Sequence, residues 1–483
     1  MAISISKHNE EVEFGGGYSL SIGFRKSLLR RDVIALAFGA MIGWSWVLLT
    51  GEWILRAGAM GAAVAFLVGS IAVVLISLTY AELAAAMPKA GGEHVYALRA
   101  LGYGPAFVAS WAILMAYVTV CVFESAALPT ALEYLFPNFR LFYLWSVQGE
   151  DVYLSLVLVG VAGSCLMTFI NYIGIRFAAF LQTLVTLSFF LVGVSFIFGV
   201  ITYESAFNGP LFVEGGVGVL GVLVMVPALL VGFDVIPQSA EEIKLEPALI
   251  GKLLVWSVFL AGLWYVGITL AVAWALDAST LITTNMATAD AMAEVWGSQV
   301  MGNIMLVAGI GGILTSWNAF VIGGSRVLYA LAESRMIPAV FAKLHPRYNT
   351  PYISILLIGL LSCVSPLFGR TVLVWLVDAG SFAVVIAYIM VTWSFLRLRR
   401  SEPDMPRPFR VRYGNWVGGS ALLLSCALFC LYLPGSPAAL LWPYEWVMVL
   451  AGSMIGLAFY LWNRKAGVDA LAGSTSGYRR ESR

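Results

Sequence analysis

Charge is what this sequence has least of. Asp, Glu, Lys and Arg make up only 11% of the 483 residues, and they cancel to a net +1. With no basic run set beside stacking aromatics, nucleic acid is excluded as a partner. Histidine is scarcer still, and His8, His94 and His345 are too scattered to gather a metal ion. The five cysteines, Cys121, Cys165, Cys363, Cys426 and Cys430, all fall in apolar stretches, which predicts buried thiols instead of a disulfide framework. No Ser-His-Asp order, CxxC pair or phosphate loop is present, so neither an enzyme nor a cofactor is expected. Residues 1–30 lack the apolar core of a cleaved signal peptide, which leaves the first apolar stretch to serve as its own signal.

Apolar side chains take the place of the missing charge. They make up 60% of the chain, and the mean hydropathy is +0.88, well outside the soluble globular average. Runs able to cross about 30 Å of hydrocarbon begin near residues 31, 61, 105, 152, 178, 215, 252, 299, 351, 371, 416 and 444. The expectation is an all-α polytopic membrane protein with twelve transmembrane helices and both termini on one side. Lys and Arg collect in loops that stay in the cytoplasm. With the N-terminus inside, all of the 28 do so except Arg56, Arg140 and Arg370. A multi-pass protein of the cytoplasmic (inner) membrane follows, with cytoplasmic termini and the lipid bilayer as its surroundings. The N-terminal tail, with Gly15, Gly16 and Gly17, reads as flexible.

The first span is interrupted at Gly39-Ala-Met-Ile-Gly43-Trp-Ser-Trp46. Each glycine weakens a helix by about 1 kcal/mol. An unwound turn at membrane depth is tolerated only where protein or a water-filled cavity satisfies the freed backbone. The same small residues also suit close helix packing, so this stretch alone leaves both readings open. The sixth span holds Pro227, Gly232 and Pro237 close together, and since a proline costs about 3 kcal/mol in a helix interior, it too is expected to break.

Five motifs, in order, carry a resemblance. Tyr80-Ala-Glu82-Leu, with Pro88 six residues after the Glu, then Gly91-Gly92-Glu93-His94-Val-Tyr96 and Gly102, resembles the loop after the second helix in the amino acid, polyamine and organocation permeases. Asn171-Tyr-Ile-Gly174-Ile-Arg176 with Gln182-Thr183 is similar to that family's turn between helices four and five. Phe233-Asp234-Val-Ile-Pro237-Gln-Ser-Ala-Glu241-Glu242 resembles its sixth helix, above all in the branch that carries cationic amino acids and amines. Gly324-Ser325-Arg326 through Pro338, and His345-Pro346-Arg347-Tyr348-Asn-Thr350-Pro351, match the end of helix eight and the loop beyond. The resemblance implies two inverted repeats of five helices, with helices one and six broken near the midplane, and two further C-terminal helices. It divides the chain into a cytoplasmic tail (1–30), a first repeat (31–203), a second repeat (204–398), a loop with the last two helices (399–463) and a second cytoplasmic tail (464–483). The implied activity is secondary transport of a small amino acid or biogenic amine by alternating access, as a monomer or homodimer. Exchange of amino acid for polyamine, or a transporter-like sensor, is the alternative.

In that family the first break cradles a substrate carboxylate on the amides of glycine, a small residue and glycine. Here those positions are Gly43, Trp44 and Ser45, a departure that leaves room for an amine without a carboxylate. The expected binding residues are Ile42, Gly43, Trp44, Ser45 and Trp46 at the first break, Gly232, Phe233 and Asp234 at the second, Glu124 on the third helix and Trp317 on the eighth. Trp44 or Trp46 either offers a ring face to an ammonium, worth about 0.5 to 2 kcal/mol, or fills space between helices. A carboxylate at the bilayer centre costs about 2.5 to 3.5 kcal/mol on insertion scales and is normally kept for a use. Asp234 can receive an ammonium, order the unwound backbone or take up a proton; Glu124 can pair with an amine, take up a proton or reach outward to the interface. Glu82 and Arg326 read as inner-gate residues or as solvated charges, and Glu241 to Glu246 as a solvated exit from helix six. Sodium coupling needs hydroxyls such as those of Thr315 and Ser316. The fifth span, Phe180 to Tyr203, holds no Lys or Arg to replace a cation, and family precedent favours the proton.

Overall fold

The computed structural model describes residues 11–14, 18–21, 24–136, 138–203, 209–284, 286–369, 371–436 and 439–478; His8, Gly15 to Gly17 and Arg370 lie outside them. A short antiparallel hairpin comes first, with β1 (Glu11–Phe14) paired to β2 (Tyr18–Ser21) in the tail that composition alone reads as flexible. The first apolar span is three pieces: α1 (Arg30–Met41), α2 (Ser45–Leu48) and α3 (Thr50–Ala57). Then follow α4 (Ala59–Ala86), the connecting helix α5 (Glu93–Leu101) and α6 (Tyr103–Leu135). A hairpin of β3 (Tyr143–Val147) and β4 (Glu150–Tyr153) leads to α7 (Leu154–Tyr172) and α8 (Ile175–Thr202). Gly174, at φ +133°, makes the sharp turn between the last two, a conformation that favours glycine.

The sixth span is likewise fragmented, into α9 (Gly216–Leu223), α10 (Val226–Leu229) and α11 (Val235–Gln238). After α12 (Pro247–Ala275), the short helices α13 (Ala278–Thr283) and α14 (Ala287–Trp296) precede α15 (Gln299–Glu333). The chain ends with α16 (Tyr352–Val364), α17 (Thr371–Ser401), α18 (Gly414–Leu431) and α19, which runs from Tyr444 to Tyr478, past the expected start of the tail at 464.

Nine helices among the described residues are long and apolar enough to cross a membrane, and the protein is a helical polytopic membrane protein. The longest stretches of contact pair α4 with α12, and α6 with both α15 and α17. The centre is lined by the broken pieces, while the outer helices α8, α18 and α19 leave most of their spanning residues unburied. That arrangement corrects one expectation. All five cysteines are free, but only Cys121 is buried; Cys165, Cys426 and Cys430 are exposed on outer helix faces. An apolar environment within a span includes lipid, which the sequence does not distinguish from protein.

Candidate substrate site

A helix that stops in mid-membrane leaves its last carbonyls without partners. Toward the end of α1 the Phe38 carbonyl accepts the Ile42 amide, and three other carbonyls are met by side chains from different helices. The Met41 carbonyl accepts the Tyr265 hydroxyl of α12 at 2.9 Å, and that hydroxyl also lies 2.9 Å from Ser45 Oγ. The Gly39 carbonyl accepts Thr315 Oγ1 of α15 at 3.1 Å, and the Ala35 carbonyl accepts Gln182 Nε2 of α8 at 3.2 Å. Beyond the break, the Trp46 carbonyl accepts both Thr50 Oγ1 and Thr288 Oγ1, each at 2.7 Å. The break is therefore built, and its backbone is fixed in place.

The second break lies against the first. A Cβ added to Gly232, whose φ is +130°, would sit 2.6 Å from Ala40 Cβ and 3.0 Å from the Met41 nitrogen. Only glycine lets the two backbones approach so closely. Asp234 steadies this turn, its Oδ1 accepting the Gly232 amide at 2.8 Å. Asp234 is fully buried, and its Oδ2 has no partner among the described residues.

Between the breaks lies a cavity of about 90 Å³. Its walls come from Ala40, Met41, Gly43, Trp44, Ser45 and Leu49 around the first break, from Thr119, Phe123 and Glu124 of α6, from Ala228, Leu229 and Val231, from Ser316 and Phe320 of α15, and from Gly380, Ser381 and Val384 of α17. Most of the lining is apolar, and Glu124 is its one charged side chain. Glu124 is 2% exposed; its Oε1 accepts the Ser316 hydroxyl, while its Oε2 is unpartnered among the described residues. The Gly43 backbone packs directly on this pair, since an added Cβ would be 3.0 Å from Glu124 Oε1 and 3.2 Å from Ser316 Oγ. A buried carboxylate with no cation beside it needs compensation. A proton or an ammonium supplies it.

The structure thus gathers Gly43, Trp44, Ser45, Glu124 and Ser316 at one cavity and places the other expected residues around it. Ile42 is buried behind the first break, and Gly232 and Asp234 form the second without lining the space. Phe233 stacks with Tyr388, centroids 5.7 Å apart. Trp46 packs edge-on against Trp264 at 5.3 Å, in a cluster with Phe189, and so fills space between helices. Trp44 reaches the cavity while its ring fits against Gly309, whose added Cβ would be 2.4 Å away. Trp317 follows Ser316 on α15, about 100° further round a helix of 3.6 residues per turn, and faces Gly163 of α7 instead. Thr315 and Ser316 both point at the first break, but one donates to Gly39 and the other to Glu124.

The two charges expected near the inner end are not solvated. Glu82 is 1% exposed and is held by Arg399 Nη2 at 2.5 Å, Arg407 Nε at 3.0 Å and the Val411 amide at 2.8 Å. Arg326, also 1% exposed, forms a paired hydrogen bond to Glu242 at 2.9 and 3.0 Å. Glu242, read from sequence as part of a solvated exit, is instead the buried partner of that pair. Residues that sequence reasoning missed include Tyr265, Phe320, the α17 wall and Asn318, which joins the motif residues Asn171 and Gln182 in a buried amide chain: Asn171 donates to Asn318 at 2.9 Å and Asn318 to Gln182 at 2.8 Å. A lone tyrosine or amide within an apolar run is the signal that marks them.

Known proteins are similar in sequence to this chain over most of its length. A branched-chain amino acid permease of Bacillus subtilis is 24% identical over 91% of this chain and 94% of its own. The cationic amino acid transporter 4 of mouse is 27% identical over 80% of this chain and 62% of its own. An aspartate-proton symporter of Bacillus subtilis is 24% identical over 85% and 80%. The model of the family described as "Amino acid permease" matches residues 30–462, nine-tenths of the chain with both breaks and every cavity wall inside it, and the protein belongs to that family of transporters.

Proposed function

We propose that this permease moves a small, largely apolar amino acid or amine by alternating access, coupled to a proton, with Glu124 as the group that holds substrate ammonium or proton in turn. The observation that carries the reading is the Glu124 carboxylate, the one charge in an apolar cavity, with one oxygen fixed by Ser316 and the other free. When the substrate ammonium arrives, the carboxylate becomes its counter-ion and the proton leaves, so the cavity stays neutral in both states. The amides around Gly43 to Ser45 receive a carboxylate where the substrate has one. Trp44 covers the apolar portion, and Asp234 holds the second break in shape. The printed name of one relative, an aspartate-proton symporter, supports the proton as the coupling ion, while occupancy of Glu124 by proton and substrate in turn makes the coupling here an exchange.

This reading carries with it twelve spans in two inverted repeats of five plus two, cytoplasmic termini, and an inner gate that includes the Arg326 and Glu242 pair. Proteoliposome uptake of neutral and cationic amino acids, putrescine and ethanolamine, under separate proton and sodium gradients, tests it. Uptake of a small apolar amino acid or amine that follows the proton gradient and is lost in Glu124→Gln is the expected result. Uptake that follows a sodium gradient at fixed pH overturns the coupling and moves attention to Thr315 and the Gly39 carbonyl.

A further inference from the structure

A spacious cleft lies away from the substrate site, at the end of the bundle where α1 and α8 begin. Its volume is about 870 Å³, and six cations line it: Arg25, Lys26, Arg31, Arg176, Lys244 and Arg347. Its one acid, Asp32, is already engaged, accepting the Leu29 amide at 3.0 Å and Thr183 Oγ1 at 3.1 Å. Arg31 lies 3.6 Å from Asp32, and none of the other five has an acid within ion-pair distance among the described residues. The cluster is held by backbone: Ser27 and Leu28 donate to the Glu242 carbonyl at 2.8 and 2.9 Å, and the Lys244 amide donates to the Leu28 carbonyl at 2.9 Å. The uncapped N-terminus of α8, after Gly174, opens into the same space, adding the positive end of a helix of 28 residues.

One wall of the cleft is apolar and faces outward. Phe177, Phe180, Leu184 and Leu187 are each about half exposed, and their spacing puts them on one face of α8. That face continues through Leu191, Val194, Phe198 and Ile201, all exposed, for roughly 36 Å at 1.5 Å per residue. An apolar stripe that starts at a cluster of unneutralised cations, and runs well past the roughly 15 Å that one leaflet contributes to the hydrocarbon, has room for the headgroup and acyl chains of a phospholipid. We propose that the cleft binds the phosphate of an anionic phospholipid, whose acyl chains lie along the exposed stripe of α8. Because α1 leads directly into the first break, a bound lipid holds the base of that half-helix.

The test uses the full chain, purified in neutral detergent, with thermal unfolding followed as lipid is added. Phosphatidylglycerol is expected to raise Tm saturably, while equal amounts of phosphatidylcholine or inorganic phosphate do not. Removing two cations in Arg176→Gln with Lys244→Gln should weaken half-saturation about thirtyfold, at roughly fivefold per cation. Removing two exposed cations outside the cleft, in Lys343→Gln with Arg400→Gln, should leave it unchanged. Should the site pair fail to fold, Lys244→Gln alone, an exposed side chain, gives the same readout at about fivefold. An equal response to phosphatidylcholine, an equal response to inorganic phosphate, or equal weakening by the control pair each overturns the proposal.

Discussion

Glu124 and Ser316 lie on different helices, and their contact sets the chemistry of the cavity. Glu124→Gln keeps the shape and removes the charge. It is expected to lower kcat/KM for uptake at least tenfold, about 1.4 kcal/mol of transition-state stabilisation, and to flatten its pH profile. His94 gives a prediction about stability. It is buried in the connecting helix α5, between Ser110 Oγ at 2.9 Å and Ser334 Oγ at 2.7 Å, and burial pushes its pKa down from 6.5 to about 4. Between those values the unfolded chain takes up a proton that the folded chain does not. Stability is therefore full above about pH 6.5 and falls on acidification by about 1.4 kcal/mol per unit toward pH 4. Thermal unfolding of His94→Asn across this window should show a flatter acid limb than the parent. At this scale the sequence made the intramembrane acids visible, because charge in a span is rare. It did not separate Trp44 from Trp46: beyond a break the helical phase is lost, and only the structure shows which ring meets the cavity.

The two interrupted spans owe their form to glycine and proline, so both breaks were legible as elements. Their mutual contact was not. Gly232→Ala puts a methyl group into Ala40 and the α1 backbone from a left-handed position. Overpacking of this kind costs about 1–3 kcal/mol, so the variant should unfold at lower temperature and transport more slowly than a Gly→Ala change at the open position Gly419, where an added Cβ meets nothing within 4 Å. The α17 wall escaped notice for a related reason. Gly380 lets α17 approach Thr119 of α6, where an added Cβ would be 2.4 Å from Oγ1, and a contact between residues so distant in sequence leaves no local pattern. The paired Thr315 and Ser316 did announce themselves, as adjacent hydroxyls in an apolar run, but their separate partners on α1 and α6 did not.

Across the whole molecule, buried ion pairs tie together one end of the bundle. Glu82 at the end of α4 holds Arg399 and Arg407, and Glu242 after α11 holds Arg326 of α15. Removing one partner of a buried pair costs about 3–5 kcal/mol, whereas removing both is far less harmful. Arg326→Gln should therefore lower Tm sharply, and Glu242→Gln in the same chain should restore much of it; additive losses would show that the pair is not a unit. Overall hydropathy made the membrane class plain and the motif order suggested the family, yet neither revealed that these charges are buried, since a charge near a helix end reads equally well as solvated. The account as a whole depends on proton and substrate sharing Glu124. The direct measurement is internal pH, reported by a dye trapped in proteoliposomes, as a transported amino acid or amine is added outside. Substrate-driven pH change in the parent protein, absent in a folded Glu124→Gln, is the predicted result. Equal uptake by both proteins with no pH change in either would contradict it.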